Sequence, residues 1–142
     1  MAEGAVAVVL LVEDDPDHAE LVARALAGQS GQVRLVHVSD GRSALAYLAR
    51  EAPWADPESS PRPDLVLLDL RLPGTTGAEV LRRIKAEPGL HDIPVIVLST
   101  SEARGDLVVA EGAQADACAV KPIDGEGFRV LVQELVSSWT AR

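Results

Sequence analysis

The segment Asp64–Gly77, DLVLLDLRLPGTTG, decides the predicted fold of this chain. Most of Asp64–Leu68 is bulky and apolar, and a short hydrophobic run before turn residues is typical of a strand buried on both faces. Asp69 stands where that strand ends, and a loop rich in Pro and Gly leads into an amphipathic run over Ala78–Ala86. A carboxylate at the carboxyl end of a central parallel strand faces the crevice where open α/β sheets bind ligands. Taken alone, Asp69 equally fits a turn aspartate with a local hydrogen bond.

The composition fits one folded domain spanning residues 1–142, with 47% hydrophobic and only 3% aromatic residues. This balance suits parallel strands covered by helices. No apolar run approaches the roughly 18 residues of a membrane span, and no basic residue precedes the first apolar stretch as it would in a signal peptide. We therefore expect a cytoplasmic protein. A single cysteine, Cys118, excludes an internal disulfide and a thiolate metal site.

The net charge of −9 opposes nonspecific binding to nucleic acid phosphates. No basic cluster overrides this charge locally. The predicted partners are proteins or cations, with neither nucleic acid nor membrane among them.

Apolar and amphipathic segments alternate along the chain, which predicts an α/β fold with a doubly wound parallel sheet and right-handed crossovers. The second strand alternates apolar and polar residues, as an edge-side strand would. Gly105 weakens the fourth predicted helix, Glu102–Glu111, by about 1 kcal/mol relative to alanine. The predicted strands are Val6–Val12, Val33–Val38, Asp64–Leu68, Val95–Leu98 and Ala115–Val120.

Several polar residues have sufficient structural explanations. Asp15 followed by Pro16 is typical of a helix start, with Asp15 as N-cap. The three histidines, His18, His37 and His91, are scattered without metal-ligand spacing, so we assign them solvated or packing roles.

Polar side chains gather at the carboxyl ends of the first, third, fourth and fifth strands: Glu13, Asp14, Asp69, Ser99 and Lys121. Clustered carboxylates resist ionisation unless a cation offsets their charge, and oxygen ligands without His or Cys select a hard ion such as Mg²⁺. Ser99 and Lys121 supply donors for an anionic group, and Asp69 can act as a nucleophile that forms an acyl phosphate. Singly, Ser99 also fits a helix cap and Lys121 an exposed strand end. Their coincidence at one edge favours a site.

The motifs LLVEDDP, DLVLLDLRLPG, PVIVLSTS and AVKP together resemble the receiver domain of bacterial two-component response regulators. They agree with that family in order and spacing, and the resemblance covers nearly the whole chain. It implies a flavodoxin-like, five-stranded parallel sheet of strand order 2-1-3-4-5, flanked by five helices.

The resemblance also implies roles for the acidic residues. Asp69 would accept a phosphoryl group from the phosphohistidine of a sensor histidine kinase. Asp14, Asp69 and the backbone carbonyl of Arg71 would hold Mg²⁺, and Glu13 would reach the metal through water.

The remaining family positions are filled, with one departure. Ser99 stands at the switch hydroxyl position, Lys121 at that of the phosphate-binding lysine, and the bond from Lys121 to Pro122 is expected to be cis. Many receivers carry an aromatic ring three residues before this lysine, whereas this chain has Cys118. Ring rotation therefore cannot be the readout of phosphorylation here.

The loop Ala52–Pro63 and the tail with Trp139 resemble stand-alone receivers that pair with bacterial phytochrome kinases. We expect no output domain, and therefore signalling by protein contact or a role as a phosphate sink. Apolar residues of the last helix, with Trp139, suggest a homodimer through the last strand and helix.

Two other functions fit the pattern less well. A hydrolase of the haloacid dehalogenase type needs a second aspartate two residues after the nucleophile, where this chain has Arg71. A binding module with a degenerate site is disfavoured because every polar position is filled. We therefore expect a phosphoacceptor signalling domain and not an enzyme.

Overall fold

A parallel five-stranded sheet of order β2-β1-β3-β4-β5 forms the centre of the molecule, as predicted. The computed structural model describes residues 6–28, 32–100, 112 and 114–140. Strand β2 lies at one edge of the sheet, which confirms the prediction made from its alternating apolar and polar residues. The strands are β1 Ala7–Val12, β2 Val33–Val38, β3 Leu65–Asp69, β4 Val95–Ser99 and β5 Ala117–Val120.

The described residues include four of the five expected helices: α1 Pro16–Ala27, α2 Gly41–Leu48, α3 Gly77–Ala86 and α4 Gly125–Thr140. The helix predicted over Glu102–Glu111 lies outside the described residues. None of the helices in the described part of the chain has the length and apolar character that a membrane crossing requires.

Helix α1 begins immediately after the acidic end of β1, because Asp15 and Pro16 fix its start. The Asp15 carboxylate accepts hydrogen bonds from the backbone N–H groups of Asp17 and His18, and Pro16 is the first helical residue. A side-chain cap of this kind stabilises a helix by about 1 kcal/mol. The predicted cap is confirmed, and it holds the first turn of α1 next to the carboxyl edge of the sheet.

Strand β3 divides its side chains between two cores. Leu65 and Leu67 pack with residues of α1 and α4, while Val66 and Leu68 pack with residues of α2 and α3. All four side chains are fully buried. Burying an aliphatic side chain of this size contributes about 1.5–3 kcal/mol, so β3 anchors both layers and holds Asp69 in a fixed position.

The loop after α2 is tied to the body by aromatic residues. Trp54 packs partly buried against the α2–α3 side of the core, with its ring centroid 6.2 Å from that of Tyr47. The Tyr47 hydroxyl donates a hydrogen bond of 2.6 Å to the carbonyl of Pro61. The aromatic residues of this segment therefore serve packing.

The expected cis bond between Lys121 and Pro122 is absent. Among the described residues, the cis peptide bond is Ala52–Pro53. The two isomers of a bond to proline differ by only about 0.5–1 kcal/mol, so a short motif does not fix the isomer.

Candidate functional site

The carboxyl edge of the sheet brings the predicted polar residues to one place. Glu13 directly follows β1, Asp69 ends β3, Ser99 ends β4 and Lys121 directly follows β5. These strands are neighbours in the sheet and run in the same direction, so their ends converge.

Four of these residues are buried although they are polar or charged: Glu13, Asp69, Ser99 and Lys121. Asp14, by contrast, is exposed at the rim. A buried charge costs much free energy unless it is paired and hydrogen-bonded. The side chains of this edge are therefore expected to contact one another.

Lys121 makes those contacts. Its Nζ lies 2.6 Å from Oε1 of Glu13 and 3.4 Å from Oδ2 of Asp69. It also lies 3.0 Å from Nδ1 of His18. The lysine therefore joins the ends of β1, β3 and β5 and the first turn of α1.

The three carboxylates fit a divalent cation. Glu13, Asp14 and Asp69 each present a ligand oxygen, and these oxygens lie within 4.8 Å of one another. Such an oxygen-only set suits a hard cation such as Mg²⁺ or Mn²⁺. When bound, a cation of this kind would neutralise negative charge at the end of β3.

Burial raises the pKa of Glu13 from its ordinary value of 4.5 to about 7. Burial is the largest cause of this rise in pKa, a hydrogen bond with Asp69 contributes to it, and the ammonium of Lys121 offsets part of it. Lys121 contacts two of the three carboxylates, so the described acidic set and its lysine together have a deficit of positive charge. That deficit is the electrostatic reason for a cation to bind here.

Backbone hydrogen bonds hold the two buried carboxylates in place. The N–H of Asp15 donates to Oε2 of Glu13 at 3.2 Å, and the N–H of Arg71 donates to Oδ1 of Asp69 at 3.0 Å. Nε2 of His37 lies 2.8 Å from the backbone carbonyl of Glu13. A role for the Arg71 carbonyl in metal binding stays a prediction.

Ser99 lies one residue beyond the position that is in register with Asp69, which is Leu98. Its hydroxyl makes a long contact of 3.4 Å with the carbonyl of Thr100. Its own carbonyl accepts a hydrogen bond of 2.7 Å from the N–H of Lys121. The backbone of Ser99 therefore holds the residue that follows β5, and the contact of its hydroxyl within the described residues is long.

His18 belongs to the site, although we assigned it a solvated or packing role. Its ring packs edge-to-face on Phe128, at a centroid distance of 5.9 Å, and its Nδ1 reaches Lys121. The packing part of the prediction is right, but the contact with Lys121 was missed. The two residues are 103 positions apart in sequence, so no spacing pattern could have linked them.

Gly77 was recognised only as a turn residue, yet it lies directly against the site. A Cβ atom at this position would lie 2.4 Å from the carbonyl oxygen of Asp69 and 2.5 Å from Cα of Leu70. Its N–H donates to the carbonyl of Leu70 at 3.2 Å. The available signal was a glycine directly before the amphipathic run that was predicted over Ala78–Ala86.

Together, the doubly wound sheet and its acidic edge with a buried lysine define an α/β protein with a candidate site for a hard cation. A family model described as "Response regulator receiver domain" matches residues 9–133. The chain belongs to the response regulator receiver domain family, whose members are signalling domains, and phosphoryl acceptance fits that family.

Relatives of known sequence or structure agree with this family. Response regulator Rcp1 of Synechocystis sp. is 36% identical over 132 residues, which cover 93% of this chain and 88% of Rcp1. The crystal structure of the phosphorylated cyanobacterial phytochrome response regulator RcpA is 36% identical, covers 96% of both chains and has a TM-score of 0.90. The Mn²⁺-bound structure of Rcp1 is 36% identical, with a TM-score of 0.84 and coverage of 94% of each chain.

Proposed function

We propose that Asp69 is the phosphoacceptor of this receiver and takes a phosphoryl group from the phosphohistidine of a sensor histidine kinase. A carboxylate oxygen of Asp69 attacks phosphorus, the new O–P bond forms, and the P–N bond breaks with its electron pair returning to the imidazole. The observation that carries this proposal is the buried contact of 3.4 Å between Nζ of Lys121 and Oδ2 of Asp69. At this distance, the ammonium of Lys121 can turn from the free carboxylate of Asp69 to an oxygen of a phosphoryl group bound to that carboxylate.

The other polar side chains have supporting roles in this proposal. Glu13, Asp14, Asp69 and the backbone carbonyl of Arg71 would hold Mg²⁺, directly or through water. The oxygen-only donor set supports this choice of metal. Lys121 and the hydroxyl of Ser99 donate to the phosphoryl oxygens.

Substitution of the acceptor tests the proposal. Asp69→Asn keeps the size of the side chain and removes the nucleophilic oxygen, so we expect no transfer of label from a ³²P-phosphorylated histidine kinase. Asp92→Asn is the matched control, because Asp92 is an exposed carboxylate that pairs with Arg62 and lies outside the proposed site. This variant should accept label like the wild type. Chelation of divalent cations should also stop transfer to the wild type. Labelling of Asp69→Asn at the wild-type rate would refute the assignment.

We assign the domain no reaction beyond its own phosphotransfer and dephosphorylation. The position where a haloacid dehalogenase hydrolase carries its general acid is Arg71. The output is a protein contact, or the domain drains phosphoryl groups from its kinase.

The kinase partner we propose is a bacterial phytochrome. Similarity to Rcp1 and to the phytochrome response regulator RcpA supports this choice. We expect a phytochrome kinase from the same organism to label this chain faster than other histidine kinases do, with a rate that changes between red and far-red light. Equal labelling by unrelated kinases, insensitive to light, would contradict the assignment.

We also propose that two copies associate through β5 and α4. Exposed apolar side chains lie on these elements and the loop between them: Val120, Ile123 and Val130. Trp139 packs partly against the α1–α4 side of the core, so only part of its surface is available.

A further inference from the structure

We infer that His18 is a positioning residue for Lys121, whose ammonium it holds through Nδ1 in the orientation that phosphoryl transfer requires. The inference rests on the proposed phosphoacceptor function of Asp69. It concerns a residue of α1 that neither contacts the acceptor carboxylate nor belongs to the acidic set.

The surroundings of the ammonium carry the inference. A lysine ammonium has three hydrogens and no acceptor capacity, and Lys121 has three acceptors around it. They are Oε1 of Glu13 at 2.6 Å, Nδ1 of His18 at 3.0 Å and Oδ2 of Asp69 at 3.4 Å. The side chain of Lys121 is only 5% exposed, so water cannot readily replace a lost acceptor.

His18 is held rigidly enough to direct its neighbour. It lies in the first turn of α1, where its N–H contacts the capping carboxylate of Asp15. Its ring packs edge-to-face on Phe128 of α4. In this inference the ammonium donates and Nδ1 accepts, which places the proton of the ring on Nε2. The same Nδ1 also lies 3.8 Å from Oε1 of Glu13 and 3.7 Å from Oδ2 of Asp15.

The three acceptors differ in what else they do. Glu13 and Asp69 belong to the proposed cation site, and Asp69 is also the proposed acceptor. Their oxygens therefore change partners when the site is loaded. Nδ1 of His18 is a neutral acceptor outside that set, so it can hold one hydrogen of the ammonium while another turns from Asp69 to a phosphoryl oxygen.

Two substitutions of His18 separate the effect of its hydrogen-bond acceptor, Nδ1, from the effect of its ring packing. His18→Asn retains an oxygen acceptor near the position of Nδ1 but loses the ring that packs on Phe128. His18→Phe retains an aromatic ring and loses the acceptor. With ³²P-labelled acetyl phosphate and Mg²⁺, we expect His18→Phe to take up label about tenfold more slowly at saturating donor, since it removes one hydrogen bond to a charged group. His18→Asn should stay within about twofold of the wild type by the same reasoning.

The Lys121→Ala background shows whether the effect passes through the lysine. In this background, His18→Phe should cause no further loss, because there is no ammonium left to position. The inference is overturned if His18→Phe matches the wild type, if His18→Asn is as slow as His18→Phe, or if the losses from His18→Phe and Lys121→Ala multiply. Wild type that takes up no label from acetyl phosphate or from a phosphorylated histidine kinase would reject the proposed function itself, which distinguishes the two failures.

A second measurement does not depend on phosphoryl transfer. ¹⁵N NMR of the histidine rings should show His18, assigned by its loss in His18→Asn, with its proton on Nε2. A proton on Nδ1 would overturn the inference whatever the transfer rates, because that nitrogen could not then accept from Lys121.

Discussion

Glu13 is the residue at which burial and charge compete most strongly. It is only 1% exposed and lies 2.6 Å from the Lys121 ammonium, yet desolvation and the neighbouring Asp69 raise its pKa to about 7. Close to neutral pH, protons and a divalent cation therefore compete for the same carboxylate. A cation that binds to this carboxylate near neutral pH would therefore change the charge of the site.

The raised pKa of Glu13 predicts how stability depends on pH. Between about 4.5, the ordinary value, and about 7, the folded chain keeps a proton that the unfolded chain has released. The Glu13 contribution to the free energy of unfolding is therefore fully present below pH 4.5 and falls as the pH rises to about 7. Urea denaturation in the presence of a chelator, repeated across this range, measures the effect.

Glu13→Gln is the control for this prediction, because the amide cannot titrate. The difference in unfolding free energy between wild type and variant should change across the same pH range and level off above it. A constant difference throughout would show that the pKa of Glu13 is not raised.

Helix α3 can begin directly against the end of β3 because its first residue, Gly77, has no side chain. The N–H of Gly77 donates to the Leu70 carbonyl, and the space for a Cβ atom is already filled by the backbone of Asp69 and Leu70. The helix start therefore supports the loop that follows the acceptor strand. The first residue of α3 therefore helps to fix the position of Asp69, the proposed phosphoacceptor.

Gly77→Ala should destabilise the protein by about 1–3 kcal/mol, since the added methyl group forces backbone apart. It should also slow phosphoryl uptake, because the carbonyl of Asp69 must move. Gly28→Ala is the matched control, since a Cβ atom there would meet nothing within 4 Å and the residue has φ −68°. We expect that control to lie within about 0.5 kcal/mol of the wild type in urea denaturation. Equal stability of the two variants would contradict this account.

Strand β5 contains Cys118, which stands where many receivers have an aromatic residue. Cys118 is in register with Val97 and packs partly buried against the α2–α3 side of the core. A side chain of this size fills space without presenting a ring that could change between buried and exposed states. We therefore predict that any change in β5 on phosphorylation is a change of its backbone or of its packing.

At the scale of the whole molecule, the exposed apolar residues near β5 and α4 predict a dimer. Ile123 is fully exposed, and Val120 and Val130 are 43% and 39% exposed. Light scattering at high micromolar concentration should give the mass of a dimer, and Ile123→Glu should reduce it toward that of a monomer. Val6→Glu, at an exposed valine before β1, is the control and should leave the mass unchanged. A monomeric wild type, with and without beryllofluoride, would refute the dimer.

The sequence by itself determined the elements and the class of site. The apolar run that predicts burial of β3, the cap at Asp15 and the order of the polar strand ends can all be recognised from neighbours along the chain. Periodicity and capping are local properties, so they can be read without coordinates. The resemblance carried by the motifs then predicted the strand order, which the structure confirms.

Only the tertiary structure decided which side chains complete the site. The contact of His18 with Lys121 depends on the rotation of α1 about its axis and on how close it lies to β5. The need for glycine at position 77 depends on the approach of α3 to the end of β3. Such distances are set by the packing of the whole core, and local sequence preferences carry no information about them.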